Sequence, residues 1–140
     1  MLTVNNVQVK NRKQAGKDKV WQAALYVRLS REDGDKEESD SVLNQKELLQ
    51  QFVSLEPDII THDIYVDDGW SGTTFERPEF VRMMADIKNG DIDCVIVKDL
   101  SRFGRNYIDV GQYIEKIFPL MDIRFISILI IWTVLRIRRP

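Results

Sequence analysis

The sequence predicts an α/β domain with a mostly parallel central sheet of four or five strands flanked by helices. Three observations predict it: four short apolar runs of strand length, longer segments between them with apolar residues at helical spacing, and the regular alternation of the two. Parallel neighbours need a crossover of about a dozen residues or more, and the helical segments supply it. At 140 residues the chain is of single-domain size. We divide it into a flexible basic leader (1–20), one compact domain (21–128) and an aberrant apolar and basic tail (129–140).

The first strand is expected over 23–29, AALYVRL. Side chains alternate along a strand, so Leu25, Val27 and Leu29 share one face while Tyr26, Arg28 and Ser30 share the other. The first face reads as core. The second fits either the wet side of an amphipathic edge strand or a set of side chains aimed at a ligand. A first helix over 41–55 places Val42, Leu43, Leu48, Leu49, Phe52 and Val53 on an apolar stripe, with Asp40 or Ser41 as N-cap. The second strand, 59–66, leads into DDGWSGTTFERPEF (67–80), where Gly69 and Gly72 permit unusual backbone angles. Pro78 near the start and Gly90 just past the end delimit a second helix over 77–90. A third strand over 93–97 runs into VKDLSRFGRN (97–106). A helical segment over 107–121, broken by Pro119, and a fourth strand over 123–129 complete the pattern.

Bulk properties narrow the function. With 44% hydrophobic and 30% charged residues the chain reads as globular. Its longest apolar run, FISILIIWTVLRI, has 13 residues, short of the roughly 20 a spanning helix needs, so no membrane partner is expected. The net charge of -2 does not advertise a nucleic-acid partner, but the signs are segregated: REDGDKEESD (31–40) is acidic and VKDLSRFGRN basic. Cys94 is the only cysteine; it excludes an intramolecular disulfide, suits a reducing, cytoplasmic setting, and reads as a buried strand residue. The single His62 reads as a surface histidine and cannot build a metal site. Neither a Walker A nor a dinucleotide pattern is present, so no nucleotide cofactor is expected.

In a parallel α/β sheet the loops at the carboxyl ends of the strands gather on one edge, where ligands bind. Three such loops carry polar chemistry: Arg28 and Ser30 after the first strand, Asp67 and Arg77 after the second, Lys98, Arg102 and Arg105 after the third. If a helix begins at LSRFGRN, Arg102 and Arg105 are three apart and lie on one side of it. Together with Arg28, and with Arg77 from the middle loop, they suit one oxygen-rich anion. Guanidinium binds phosphate bidentately and keeps its proton. A serine beside such a cluster needs no histidine when positive charge stabilises the phosphoryl transition state; one preorganised donor is worth on the order of 3 kcal/mol. Asp67 is placed to accept hydrogen bonds from an arginine and orient it. The plainer alternative is a solvated basic turn paired with Asp99 or Asp109.

YVRLS (26–30), DDGWSGTTFERPEF (67–80) and VKDLSRFGRN (97–106), in that order and spacing, resemble the catalytic domain of the serine site-specific recombinases, the resolvase/invertase family, over about residues 22–127. The LSRED opening and the long insertion before the first helix are similar to the large serine recombinases of mobile elements. The resemblance implies a serine that attacks a DNA phosphodiester, forms a 5′-phosphoserine link and frees a 3′-hydroxyl, with exchanged strands then rejoined without metal or cofactor. By motif position Ser30 is the nucleophile and Arg28, Arg102 and Arg105 surround the scissile phosphate. Gln45 matches a polar active-site residue of the first helix, and Asp67 and Arg77 match supporting positions. Ser101 stands where many relatives have aspartate. The implied partners are double-stranded DNA, contacted by Lys98, Arg102 and Arg105, and further copies in a dimer or tetramer. Two other readings compete: a non-catalytic fragment that self-associates, and an unrelated α/β phosphoesterase.

After Ile126 the resemblance ends. SILIIWTVLRIRRP stands where relatives have a polar loop and a long helix. A reading-frame slip accounts for this: Trp132 is TGG, and with ATA for Ile131 and ACA for Thr133 the neighbouring frame encodes Met-Asp. Sequencing the gene tests the idea. The domain is thus expected to be incomplete at its C-terminus, and the chain alone to recombine DNA weakly or not at all, because phosphate contacts dominate such affinity.

Overall fold

The computed structural model describes residues 19–30 and 41–129. Most of the leader, the acidic segment 31–40 and the tail from residue 130 lie outside the described residues. Strand β1 (Trp21–Leu29) is followed by helix α1 (Val42–Ser54), β2 (Ile59–Asp68), α2 (Pro78–Lys88), β3 (Cys94–Val97) and a short helix α3 (Leu100–Phe103). Then come α4 (Tyr107–Gln112), a π-helical turn (Tyr113–Ile117), α5 (Phe118–Leu120) and β4 (Arg124–Ser127). The four strands form one sheet in the order β2-β1-β3-β4, and every pair is parallel. This is the predicted architecture.

Several boundaries have a local cause. β1 begins at Trp21 because the Trp21 amide donates to the Asp58 carbonyl at 2.8 Å and the Gln22 amide to Asp93 Oδ1 at 2.8 Å. Lys19, assigned to the leader, pairs with the same Asp93 carboxylate. Ser41, not Asp40, caps α1: its hydroxyl accepts from the Asn44 amide at 3.1 Å. Gly90, at φ +87°, terminates α2 in the left-handed conformation that glycine favours. The third helical segment is widened rather than broken at Pro119. Proline has no N–H, so the carbonyl four residues before it loses its usual donor and its space. A π turn stands just before the proline, with the Phe118 amide donating to the Tyr113 carbonyl.

β1 is a central strand, which removes the edge-strand reading. Ala23, Leu25 and Val27 pack with Ile59, Ile96 and Leu49 of α1 on one face of the sheet. Ala24 and Tyr26 join Phe80, Met83, Phe103 and Phe118 on the other. Both faces are core, as a parallel sheet with helices on each side requires. Each large side chain so buried stabilises the fold by about 1.5–3 kcal/mol. From β1 the chain moves outward to β2, then returns to β3 on the opposite side of β1 and continues to β4. The order therefore reverses between β1 and β3, and the crevice at their carboxyl ends is where such sheets receive ligands.

Candidate active site

The crevice collects the three loops. Ser30, nearly buried, is the first residue past β1. The carbonyl of Leu29 just before it accepts from the Gly69 amide at 2.5 Å, which seats the middle loop against the end of β1. Arg28 and Asp67 are register partners on β1 and β2. Lys98, Arg102 and Arg105 follow β3 at the same edge, Lys98 half-buried, Arg102 nearly buried and Arg105 exposed. Gln45, buried on α1, reaches the edge from below and donates to the Arg28 carbonyl at 3.2 Å.

Two guanidinium groups organise this edge from inside. Arg28 is wholly buried; its Nε donates to the Arg102 carbonyl at 3.3 Å, Nη1 to the Trp70 carbonyl at 3.0 Å and Nη2 to the Ser101 carbonyl at 2.7 Å. Arg77 is also wholly buried; its Nε donates to the Thr74 carbonyl at 2.6 Å, Nη1 to the Tyr26 hydroxyl at 2.8 Å and Nη2 to the Phe103 carbonyl at 2.7 Å. Its cation lies against the rings of Phe75, Phe80 and Tyr26 at 4.8, 5.0 and 5.5 Å. Three successive carbonyls of α3, at 101, 102 and 103, are thus each bound by a buried arginine, while the Leu100 carbonyl takes the Gly104 amide at 3.0 Å. A helix of one turn is marginal on its own, and its terminal carbonyls need donors. Two cations at its negative end supply them.

These contacts revise four expectations. Arg28 and Arg77 do not join an open ring of cations: the nitrogens of Arg28 are taken by three carbonyls, and those of Arg77 hold two loops and a tyrosine. Arg102 and Arg105 do not share a helix side, because α3 ends at Phe103 and Gly104 is extended, so Arg102 turns inward and Arg105 outward. Asp67 holds no arginine directly among the described residues. It accepts from the Tyr26 hydroxyl at 2.7 Å and from the Glu79 and Phe80 amides, each at 3.0 Å, which caps α2. Its link to Arg77 passes through Tyr26, whose hydroxyl accepts from one and donates to the other. Burial above all, with the Asp67 carboxylate adding and Arg77 opposing, raises the Tyr26 pKa well above its ordinary value, so the bridge stays protonated. Finally, of the two glycines of the middle loop, Gly69 has a left-handed backbone, at φ +89°, and Gly72 does not.

Tyr26 and the main-chain carbonyls were not among the expected site residues. Tyr26 had a signal, since it shares a strand face with Arg28 and Ser30. The carbonyls had none, because every residue carries one. Ser101 shows the consequence: its hydroxyl donates to the Asp99 carboxylate at 2.5 Å, whereas its carbonyl serves Arg28 whatever side chain stands there. Next to Arg105 an apolar groove of about 620 Å³ runs between α3 and α4, lined by Leu100, Gly104, Tyr107, Val110 and Ile114. Among the described residues no group of three or more His, Cys, Asp or Glu is placed to hold a metal ion, and no helix is long and apolar enough to cross a membrane. His62 is exposed, and Cys94 is buried with its thiol pKa pushed up to about 12 by desolvation.

The comparisons with known proteins agree with this geometry. The family model of the resolvase N-terminal domain matches residues 23–133, and so runs past Ile126, the expected end of the resemblance. The N-terminal catalytic domain of TP901-1 integrase is 30% identical, with 77% of each chain covered and a TM-score of 0.68. A resolvase family site-specific recombinase from Streptococcus pneumoniae is also 30% identical, covering 85% of this chain and 88% of its own, with a TM-score of 0.60. The C-terminal catalytic domain of ISC1926 TnpA, an IS607-like serine recombinase, shares the fold at 20% identity and a TM-score of 0.63, covering 76% of this chain and 67% of its own. With a family match across most of the chain, a parallel sheet in the order β2-β1-β3-β4 and its polar loops at the switch point, this protein belongs to the resolvase family and carries a serine recombinase catalytic domain.

Proposed function

We propose that this domain cleaves and exchanges DNA strands through Ser30, as part of a large serine recombinase of a mobile element acting on double-stranded DNA in the cytoplasm. The observation that carries the reading is the placement of Ser30 directly past β1 at the switch point, beside an arginine whose guanidinium is bonded to the backbone of the loop bearing Arg102 and Arg105. The Ser30 Oγ forms a bond to phosphorus, its proton passes to solvent, the bond from phosphorus to the 3′-oxygen breaks, and that oxygen takes up a proton. Arg102 and Arg105 stabilise the charge on the phosphoryl oxygens, Lys98 adds to the phosphate grip, and Arg28 holds the backbone that carries both arginines. Arg77, Asp67 and Gln45 position these groups through the contacts described above. No metal or cofactor takes part in the scheme.

The test joins the chain to a DNA-binding domain of known site, set beside a randomised stretch of duplex, and traps protein–DNA adducts in detergent. A covalent adduct mapped to Ser30 by mass spectrometry and absent from Ser30→Ala is expected. The chain without the added domain should yield at least roughly tenfold less, since it lacks most phosphate contacts. No adduct, or one that survives Ser30→Ala, refutes the proposal. A second reading, a self-associating fragment without chemistry, draws on the exposed Tyr107 and Ile108 beside the apolar groove. It predicts no adduct together with a dimer in sedimentation.

A further inference from the structure

We infer that Gly72 is a positioning residue whose missing side chain lets the Arg28 guanidinium stay docked on its carbonyls while Arg105 stands beside it and takes up a phosphate. The inference rests on the strand-cleavage reading and adds to it a residue that touches no reacting atom. A Cβ built on Gly72 would stand 2.7 Å from Arg105 Cγ, 2.8 Å from Arg28 Nη2 and 2.9 Å from Arg28 Cζ. All three are closer than carbon atoms tolerate. Backbone conformation is not the reason for glycine here, because Gly72 lies outside the left-handed region. Space is the reason.

Such a collision costs little when the struck atom ends a loose side chain. The Arg28 guanidinium is not loose: it is buried and held by the carbonyls of Trp70, Ser101 and Arg102. Nor can the middle loop easily retreat, because the Gly72 carbonyl accepts from the Arg105 amide at 2.8 Å. The backbone is therefore pinned to the very residue whose side chain a methyl group would strike. Gly72 thus sets the separation between the buried cation of β1 and the exposed cation beyond α3. Gly104 has the same kind of crowding, with a Cβ 2.7 Å from Phe75 Cζ, but there the neighbour is an aromatic ring of the core. Gly111, with nothing within 4 Å, is the neutral control.

The test follows the arginine Nε–H signals of the full chain by NMR during titration with inorganic phosphate, assigned through Arg28→Lys and Arg105→Lys. In the unsubstituted chain the exposed Arg105 signal should follow the phosphate binding curve. In Gly72→Ala the Arg28 signal should shift before any phosphate is added and the Arg105 curve should weaken by roughly tenfold, as the loss of one charge-assisted contact implies. The Arg77 signal, anchored at Thr74, should stay in place, which a general loosening of the fold would not allow. Gly111→Ala should behave as the parent. Thermal midpoints supply a second arm: Gly72→Ala should cost less in an Arg105→Ala background, where one collision is gone. If Gly72→Ala alone does not fold, recovery of folding in the double variant supports the inference, and continued failure overturns it. Equal thermal costs in the two backgrounds, an unmoved Arg28 signal, or an Arg105 phosphate curve that Gly72→Ala leaves unchanged also overturn it. None of these outcomes touches the strand-cleavage reading, which stands or falls on the Ser30 adduct.

Discussion

The two faces of the sheet are built from different materials. Toward α1 the buried packing is aliphatic, with Leu25, Val27, Leu49, Ile59 and Ile96 in one cluster and the rings of Trp21 and Phe52 only partly buried against it. Toward α2 and α4 it is aromatic: Phe75, Phe80, Phe103, Tyr113, Phe118 and Phe125 form a set of ring pairs with centroids 4.8 to 5.9 Å apart. The aromatic face encloses the Arg77 guanidinium among its rings. Ring faces carry negative partial charge and can lie against a cation that aliphatic carbons would leave unsolvated. The aromatic side can therefore run a polar tether from the middle of the core to the Phe103 carbonyl, and so to α3. The aliphatic side gives stability and reaches the site through Gln45.

Breaking the tether should have the largest effect. Arg77→Ala leaves the Tyr26 hydroxyl without its donor and strands the carbonyls of Thr74 and Phe103, at a cost of about 3–5 kcal/mol in urea unfolding. Arg77→Lys should not restore it, since an ammonium lacks the planar fork that reaches three acceptors. A cost below about 1 kcal/mol would show that α3 does not depend on this cation. On the aliphatic face, Leu49→Ala should cost about 3 kcal/mol through loss of packing. The Arg28 and Arg77 Nε–H signals of the folded variant should be unchanged, and movement of either would dissolve the division between the faces.

The smallest effect is the most specific. Tyr26→Phe should cost about 1–2 kcal/mol at neutral pH, by removing the hydroxyl that joins Arg77 to Asp67. It should also alter the alkaline limb of stability. Folding raises the Tyr26 pKa, so above about pH 10 the unfolded chain releases a proton that the folded chain keeps, and stability falls by about 1.4 kcal/mol per pH unit for this group. The variant lacks that contribution and should decline more gently. Tyr65 and Tyr113, also raised chiefly by burial, keep part of the slope in both proteins.

How far the sequence could be read depended on whether the relevant group belongs to a side chain. Four strands, three long helical segments and the shared edge for Arg28, Ser30 and Arg105 were legible from periodicity and alternation. Tyr26 was read as an alternation partner and not as a bridge, because nothing in its type distinguishes a packed ring from one with a bonded hydroxyl. The helix proposed to carry both Arg102 and Arg105 was too short to do so, since Gly104 ends it after one turn. Pro119 reads as a break in one dimension, yet a wider turn accommodates it in three. The carbonyls that receive Arg28 and Arg77 were beyond reach, since no residue type encodes where its main chain points.

Cys94 lies inside this construction, with no exposed surface, on a strand flanked by two others. Its proton is held so firmly that an alkylating reagent finds no thiolate while the sheet is closed. As the sole sulfhydryl in the sequence, it makes the protein its own clock. Each labelling event records one moment at which the central strands parted, and the labelling rate measures how often they do.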